Sequence, residues 1–423
     1  MSTPDQRVAV VGGGVVGAMC AYYLARCGFQ ITIVERGEFG HACSFGNCGF
    51  VCPSHVLPLQ APGAIGKSLR MMFRRNSPFT VKLRLSPSFW SWCWGFARRC
   101  NHEDMLKTGH ARHALLESSM RLYRELVDRE NLVCEWQDKG LLLVFRSPSE
   151  FEEFGETNHL MLEHYGVGAT AYDGDQLARL EPALRTGLAG AWHFECDSHL
   201  RPDRLMQELK RVLEGLNAHI LERCDFKSFA SEGGQAVAMN TSQGVVHADH
   251  FVLAGGAWTP RLMKDLGCRI AVQPGKGYSL TTTEPYQGPQ IPMIFEQDRV
   301  AVTPFEKGLR VGSTMELSGY DTSVKAHRLK PLQAAERFYL NQIDWDVVTL
   351  RHWWGWRPMS YDGRPYIDRS PRLSNVVIAA GHGMLGLSMA TATGKLVSEI
   401  LSAEHPHLNL EPYAVEERRR RRA

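Results

Sequence analysis

Short apolar runs punctuated by glycine set the pattern of this chain of 423 residues. Val8–Val11 is a run of valine and alanine, the composition of a buried strand. A glycine-rich turn follows, then a helical run to about Arg26, a stop at Gly28 and a second apolar strand, "ITIVE", that closes on Glu35. Residues 106–129 carry the spacing of an amphipathic helix. "GLLLVF" (140–145) and "GAWHFE" (190–195) read as strands, with a helix over "EFEEFGETNHLMLEHYG" between them. Further strands are expected at 271–273, 278–282, 300–303 and 309–313. "ADHFVLAGGAWTPRL" (248–262) and "NVVIAAGHGMLGLSMATATGKLVSEIL" (375–401) each read as a buried strand, a glycine turn and a helix.

The first turn carries chemistry. Gly12, Gly14 and Gly17 fit G-x-G-x-x-G between strand and helix, and an acidic residue ends the next strand. Gly12 makes the tight turn, Gly14 admits a pyrophosphate to the backbone, and Gly17 packs helix on strand. The helix N-terminus then faces the phosphates and Glu35 can accept from ribose hydroxyls, which disfavours a ribose bearing a 2′-phosphate. The order of all five parts within 30 residues predicts dinucleotide binding. The motif alone leaves NAD and FAD open; its place at the start of the chain, with no second cradle later, leans toward FAD as a held cofactor. "GAIGKS" (63–68) lacks both the leading glycine and the preceding strand of a phosphate loop, and is set aside. The fold class expected is α/β: a Rossmann-like nucleotide lobe interleaved with a second, α+β lobe whose sheet is mixed or antiparallel.

Charge and cysteine usage narrow the setting. The net charge is +3, but Arg418–Arg422 alone supply five positives, so the tail reads as a solvated end and the body as nearly neutral. Eleven scattered cysteines suggest reduced thiols in a cytoplasmic setting. Cys43, Cys48 and Cys52 match no zinc or iron–sulfur spacing, and no metal is expected. There is no signal-peptide pattern and no apolar run of the roughly 20 residues a spanning helix needs. Between Gly40 and His102 there is no acid, yet there are eight Lys or Arg, together with Trp90, Trp92 and Trp94. Such a segment suits an anionic membrane surface, or else an ordinary core with solvent-facing arginines. No recognition module for nucleic acid accompanies it.

Two further stretches sit with the cradle. In "AAGHGMLGLSMATATGKL" (379–396), Gly381, Gly383 and Gly386 keep side chains away from a strand–helix turn whose N–H groups can stabilise an anion. In "RHWWGWRPMSYDGRP" (351–365), Arg357 lies among Trp353, Trp354 and Trp356. Taken by itself it is either a cation–π clamp or a grip for an acidic ligand.

The cradle, "AGGAW", "GWRPMSYDGRP" and "GHGMLG" together resemble the FAD-dependent D-amino acid oxidase superfamily. "FGNCGFVCPS", "LQAPG" and "GKGYSLT" are similar to bacterial D-amino acid dehydrogenases, over nearly the whole length. The departures are the arginine tail and Cys43–Cys52, where the family more often has small residues such as alanine. The resemblance implies FAD-binding segments at 1–85, 199–265 and 351–410, substrate-lobe segments at 86–198 and 266–350, and a basic tail at 411–423. It implies FAD contacts at Gly12, Gly14, Val15, Val16, Gly17, Glu35, Arg36 and Gly255, with the flavin ring near Asn47, Gly383, Leu385 and Gly386. It implies Arg357 on the substrate carboxylate, with Tyr278 and His382 as further pocket residues. The activity implied is oxidative deamination of a D-amino acid, or of D-proline or hydroxy-D-proline, by hydride transfer, with electrons going to a quinone or other carrier. The alternatives are an oxygen-using glycine, sarcosine or D-amino acid oxidase, and a non-catalytic flavin relay or redox sensor. The setting implied is cytoplasmic, with peripheral contact on the inner face of the membrane.

Overall fold

The computed structural model describes residues 6–72, 77–282, 288–341 and 350–415. Arg418–Arg422, and Arg74 and Arg75 of the acid-free segment, lie outside the described residues.

Among the described residues, one sheet of six strands runs in the order Tyr366–Arg369, Val376–Ala380, His250–Leu253, Arg7–Val11, Gln30–Val34, His219–Leu221. All its pairings are parallel except that of the edge strand Tyr366–Arg369. The period of two along each strand divides its side chains between two cores. Val8, Val10, Ile31, Ile33, Val252 and Val377 face the helices Val15–Arg26 and Ala390–Leu401. Ala9, Val11, Phe251, Leu253 and Ile378 face an antiparallel meander over residues 226–247. Because both faces are covered, these strands read as continuous apolar runs.

Among the described residues the second sheet has nine strands and mixed direction. One face of its centre, with Leu280, Val300, Val302, Leu309 and Val311, buries against the helix Lys330–Tyr339 through Leu332, Ala335 and Tyr339. The opposite face carries glycine and small polar side chains where it meets the first lobe. Its edge is built by Val272–Thr282 and Leu350–Ser360, paired antiparallel over all eleven positions.

Four sequence expectations shift here. The strands expected at 271–273 and 278–282 are one strand, since Pro274, Gly275 and Gly277 interrupt the apolar pattern and not the pairing. The "GWRP" stretch, expected within a nucleotide-lobe segment from 351, lies in the second sheet, so the chain returns to the first only after Ser360. Phe79–Val81, expected inside the 1–85 nucleotide segment, pairs with Leu309–Leu317 of the second sheet. The "GHGMLG" turn does not open a helix directly, because the helix begins at Ala390, nine residues after the strand.

Candidate active site

The cradle is assembled by close approach of backbone. Gly12 has φ +107°, and a Cβ there would lie 2.5 Å from the Ala254 carbonyl oxygen. At Gly17 a Cβ would fall 1.9 Å from the Gly12 carbonyl oxygen. Neither position admits a side chain while the helix 15–26 stays where it is. Gly14 caps that helix without a side-chain bond of its own. Ser44, which sequence reasoning missed, supplies one: its Oγ accepts from the Val15 N–H at 2.9 Å. The N–H groups of Val16 and Gly17 belong to the same first turn, which a helix cannot pair internally. Glu35 is buried and accepts from the N–H groups of Gly13 (2.7 Å) and Gly37 (2.8 Å). Two carboxylate oxygens have about four lone-pair sites, so capacity for a ribose remains. Arg36 stacks at 3.9 Å on the ring of Trp258, in the short turn that follows Gly255. This arrangement fits a dinucleotide: a backbone-lined turn, a helix N-terminus and an acid at the neighbouring strand end.

The Asn47 loop links the cradle to the second sheet. Asn47 holds its own turn, donating to the Ser44 carbonyl and accepting from the Gly49 N–H. Four side-chain bonds from the sheet fix the loop's carbonyls. Ser279 donates to Gly46 (2.7 Å), Thr303 to Cys48 (2.6 Å), and Arg310 Nη1 to Asn47 (2.8 Å) and Phe45 (3.3 Å). Arg310 is itself buried and paired to Asp203 at 3.3 Å. The signal for it was a charged residue inside the otherwise apolar strand "LRVGS".

Arg357 lies opposite Gly275 in the paired strands, with its guanidinium over Gly277. A Cβ at Gly277 would lie 2.3 Å from Nη1. Nη1 donates to the Thr314 carbonyl at 2.7 Å. Burial pushes the pKa of the guanidinium below its ordinary value, opposed by Cys43 and Cys48. Among the described residues no carboxylate pairs with it, whereas Arg364 is tied to Asp362 at 3.1 Å and Arg351 is exposed. The two thiols stay protonated, because burial raises Cys43 to about 11 and raises Cys48 as well. The ring of Trp353 lies against Gly46 and Gly355, where an added Cβ would come within 2.2 Å and 2.4 Å of it.

The glycine turn sits beside this strand. Met359 and His382 form a backbone bridge, and the Gly383 N–H donates to the Pro358 carbonyl at 3.0 Å. Gly383 has φ +60°, a conformation that leaves little choice of residue. Leu385 is buried, and a Cβ added to Gly386 would lie 3.7 Å from the Cβ of His382.

Of the further pocket residues expected, Tyr278 is not brought to Arg357. Tyr278 is paired with Trp354, one residue out of step with Gly277 and Gly355, so it points to the opposite face of the sheet. There its hydroxyl donates to Glu316 at 3.2 Å, within the apolar core. His382 is turned toward the helix 390–401, its Nε2 3.0 Å from Thr393 Oγ1. Burial lowers its pKa to about 3, so it is neutral at any physiological pH. One group of metal-ligand type does come together: Cys52, His55 and Asp197 place donor atoms within 4.8 Å of one another. Within it Asp197 accepts from the Ser54 N–H (3.0 Å) and Ser54 Oγ (2.5 Å), and burial raises its pKa to about 6.

The family model for FAD-dependent oxidoreductases of the DAO type matches residues 7–400. The chain belongs to this family. It is an FAD-dependent oxidoreductase, and the cradle above is the part of the fold that suits the cofactor. Its sequence is 31% identical over 409 residues to a D-amino acid dehydrogenase of Methylobacterium radiotolerans, covering 95% of this chain and 97% of that one. It is 30% identical to a D-amino acid dehydrogenase of Granulibacter bethesdensis, with the same coverage. In fold it is similar to glycine oxidase from Geobacillus kaustophilus, with a TM-score of 0.78, 21% identity, and 98% and 99% of the two chains covered. Among the described residues no helix is long and apolar enough to cross a membrane.

Proposed function

We propose that this enzyme oxidises a D-amino acid, cyclic imino acids such as D-proline included, and delivers the electrons to a quinone-type acceptor. The observation that carries the reading is Arg357: a half-buried guanidinium with no carboxylate partner among the described residues, next to the glycine turn of a flavoenzyme. A substrate carboxylate would complete it with charge-assisted hydrogen bonds. The names of the relatives at about 30% identity support the substrate class.

In this reading Gly12, Gly14, Val15, Val16, Gly17, Glu35, Arg36 and Gly255 hold the nucleotide end of FAD, and Asn47, Gly383, Leu385 and Gly386 border its ring. Bound FAD supplies the acceptor for a hydride from the substrate Cα. Arg357 fixes the carboxylate and so the direction of the Cα–H bond, which replaces much of the entropic cost of the encounter. The Thr314 carbonyl fixes the guanidinium in turn. Met315 and Met359 line the same face, each within 2.8 Å of where a Cβ on Gly275 would lie, and exclude water from it. No protein base is needed when the substrate amine enters neutral, which agrees with a neutral His382 and protonated Cys43 and Cys48. Loss of the hydride leaves an iminium acid. Water converts it to the 2-oxo acid and ammonia, or opens the ring of a cyclic product.

The acceptor reading is supported by the helix Pro87–Arg98. Trp90 and Trp94, one turn apart, are 51% and 59% exposed, while Trp92 is buried and bonded to the Met359 carbonyl. Leu83 and Leu85 are exposed beside them, and Arg98 stacks on Trp94 at 4.6 Å. Apolar side chains set among basic ones suit an anionic membrane, where a quinone would be met on the cytoplasmic face.

The deciding experiment is anaerobic mixing of the yellow holoenzyme with a panel of D- and L-amino acids. D-Amino acids should bleach the flavin, and Arg357→Ala should keep FAD while losing that reduction. Undiminished reduction by Arg357→Ala overturns the carboxylate assignment, and no bleaching by any amino acid overturns the substrate class. Turnover with oxygen that matches turnover with a quinone analogue, with hydrogen peroxide formed, overturns the acceptor.

A further inference from the structure

Beside Arg357 the 309–317 strand departs from regular pairing. Tyr278 stands opposite Ser313 and Lys276 opposite Glu316, so Thr314 and Met315 together face the single residue Gly277. This is a β-bulge, which re-aims backbone and side chains locally. It forces φ +60° on Thr314, a conformation rare for a β-branched residue. Strain of this kind persists where the surroundings over-determine it, commonly at ligand sites.

Two things come of the strained turn. The Thr314 carbonyl meets Arg357 Nη1 at 2.7 Å. The Thr314 hydroxyl is buried and, among the described residues, has no hydrogen-bond partner, on a residue only 3% exposed. A buried hydroxyl without a partner is costly, and a regular strand would not place a β-branched residue here in this conformation.

We propose that Thr314 is a second arm of the carboxylate site, its carbonyl setting the angle of Arg357 and its hydroxyl donating to the bound amino acid's carboxylate. The inference rests on the assignment of Arg357 to that carboxylate. The division of labour is chemically reasonable. One Nη1 proton is committed to Thr314, so the guanidinium offers its remaining donors in a fixed direction. A carboxylate oxygen keeps lone pairs for a neutral donor beside them, and a hydroxyl adds affinity without adding charge.

The test uses holoenzyme and a non-oxidisable carboxylate, propionate, titrated against the absorption spectrum of the bound flavin, with KM and kcat measured in parallel. Thr314→Val removes the hydroxyl and keeps the shape, with Thr314→Ala in its place where the valine variant does not fold. Either should weaken propionate, and raise the substrate KM, by about tenfold or more, while FAD content is kept. Thr314→Ser should restore most of the affinity. Thr314→Gly, free of the φ penalty, should melt no lower than the parent and still bind propionate weakly. Parent-like affinity in the valine or alanine variant, with Arg357→Ala losing propionate, overturns the Thr314 arm alone. Parent-like affinity in Arg357→Ala overturns the carboxylate assignment on which it stands.

Discussion

Gly277→Ala is a sharp probe of the site because the three atoms nearest the added Cβ all belong to Arg357. A Cβ at this position would lie 2.3, 2.4 and 2.5 Å from Nη1, Cζ and Nη2 of Arg357. All three are the far end of a flexible side chain, and Gly277 is not among the residues of positive φ, so the backbone accepts alanine without strain. The guanidinium must therefore move by an ångström or more and leave the Thr314 carbonyl. The stability cost is that of modest overpacking, about 1–3 kcal/mol, and alanine recovers some of it as the better strand residue. The functional cost is larger. A charge-assisted bond of about 1.5–3 kcal/mol is lost, and a misplacement of about 1 Å can lower a rate by about a hundredfold. The second-order constant for anaerobic flavin reduction by a D-amino acid should fall by about a hundredfold, while FAD content and melting temperature stay near those of the parent. A parent-like constant in a folded, FAD-loaded Gly277→Ala protein would refute the placement of substrate against Arg357.

Other expectations follow from the same geometry. Glu35→Gln keeps an acceptor for one of the Gly13 and Gly37 N–H groups and loses the charge, so FAD should dissociate at least tenfold more readily on dilution, as read by flavin fluorescence. Trp90→Ser with Trp94→Ser should abolish cosedimentation with anionic vesicles at low salt and leave flavin reduction intact, because both rings lie outside the core. His382, His55 and His199 are neutral when folded, with pKa values lowered by burial to about 3, 4 and 4, against 6.5 in the unfolded chain. Below pH 6.5 the unfolded state takes up protons that the folded state refuses, so each site removes about 1.4 kcal/mol of stability per pH unit. Asp197, raised to about 6 from 3.8, opposes this trend between those two values, since there the folded state holds the extra proton. Denaturant titrations of His382→Gln should show a slope shallower by one such increment between pH 6 and 4, and an unchanged slope would place that histidine in contact with solvent.

What could be read from the sequence was local. The cradle and the "GHGMLG" turn are glycine requirements within a single strand–turn–helix unit, so their residues point to their chemistry without knowledge of the rest of the chain. Arg357 was legible as a residue, and the resemblance supplied the role now proposed for it. Its surroundings were not legible. That Gly277 faces it and Tyr278 turns away is a matter of parity, fixed by pairing with a strand about 75 residues later in the chain. A shift of one residue would exchange the two faces, and nothing within "GKGYSL" decides the register. The bulge at Thr314 is harder still, because it exists only as a mismatch in count between two strands. Trp90, Trp92 and Trp94 divide likewise: helical spacing separates the first and last from the middle one, but the packing of the helix against Met359 and Tyr361 decides which side is wet.

The glycines of the second sheet connect these points. Gly275, Gly277 and Gly355 on the edge strands, with Gly312 on the next strand, lie on the face toward the first lobe, and an added Cβ on each would strike Met315, Arg357, Trp353 or Cys48. Glycine inside a strand costs roughly 0.5–1 kcal/mol relative to alanine, so four of them weaken a sheet whose other face needs no such allowance. That other face bears Tyr278, Leu280 and Trp354, and its packing offsets the loss. The sheet is thus strong on one side and bare on the other. The bare side lets a guanidinium, an indole and the Asn47 loop reach its backbone, and local propensity yields there because the site requires it. A sequence reader counting strand formers would score 272–282 poorly for the very residues that make room for the ligand.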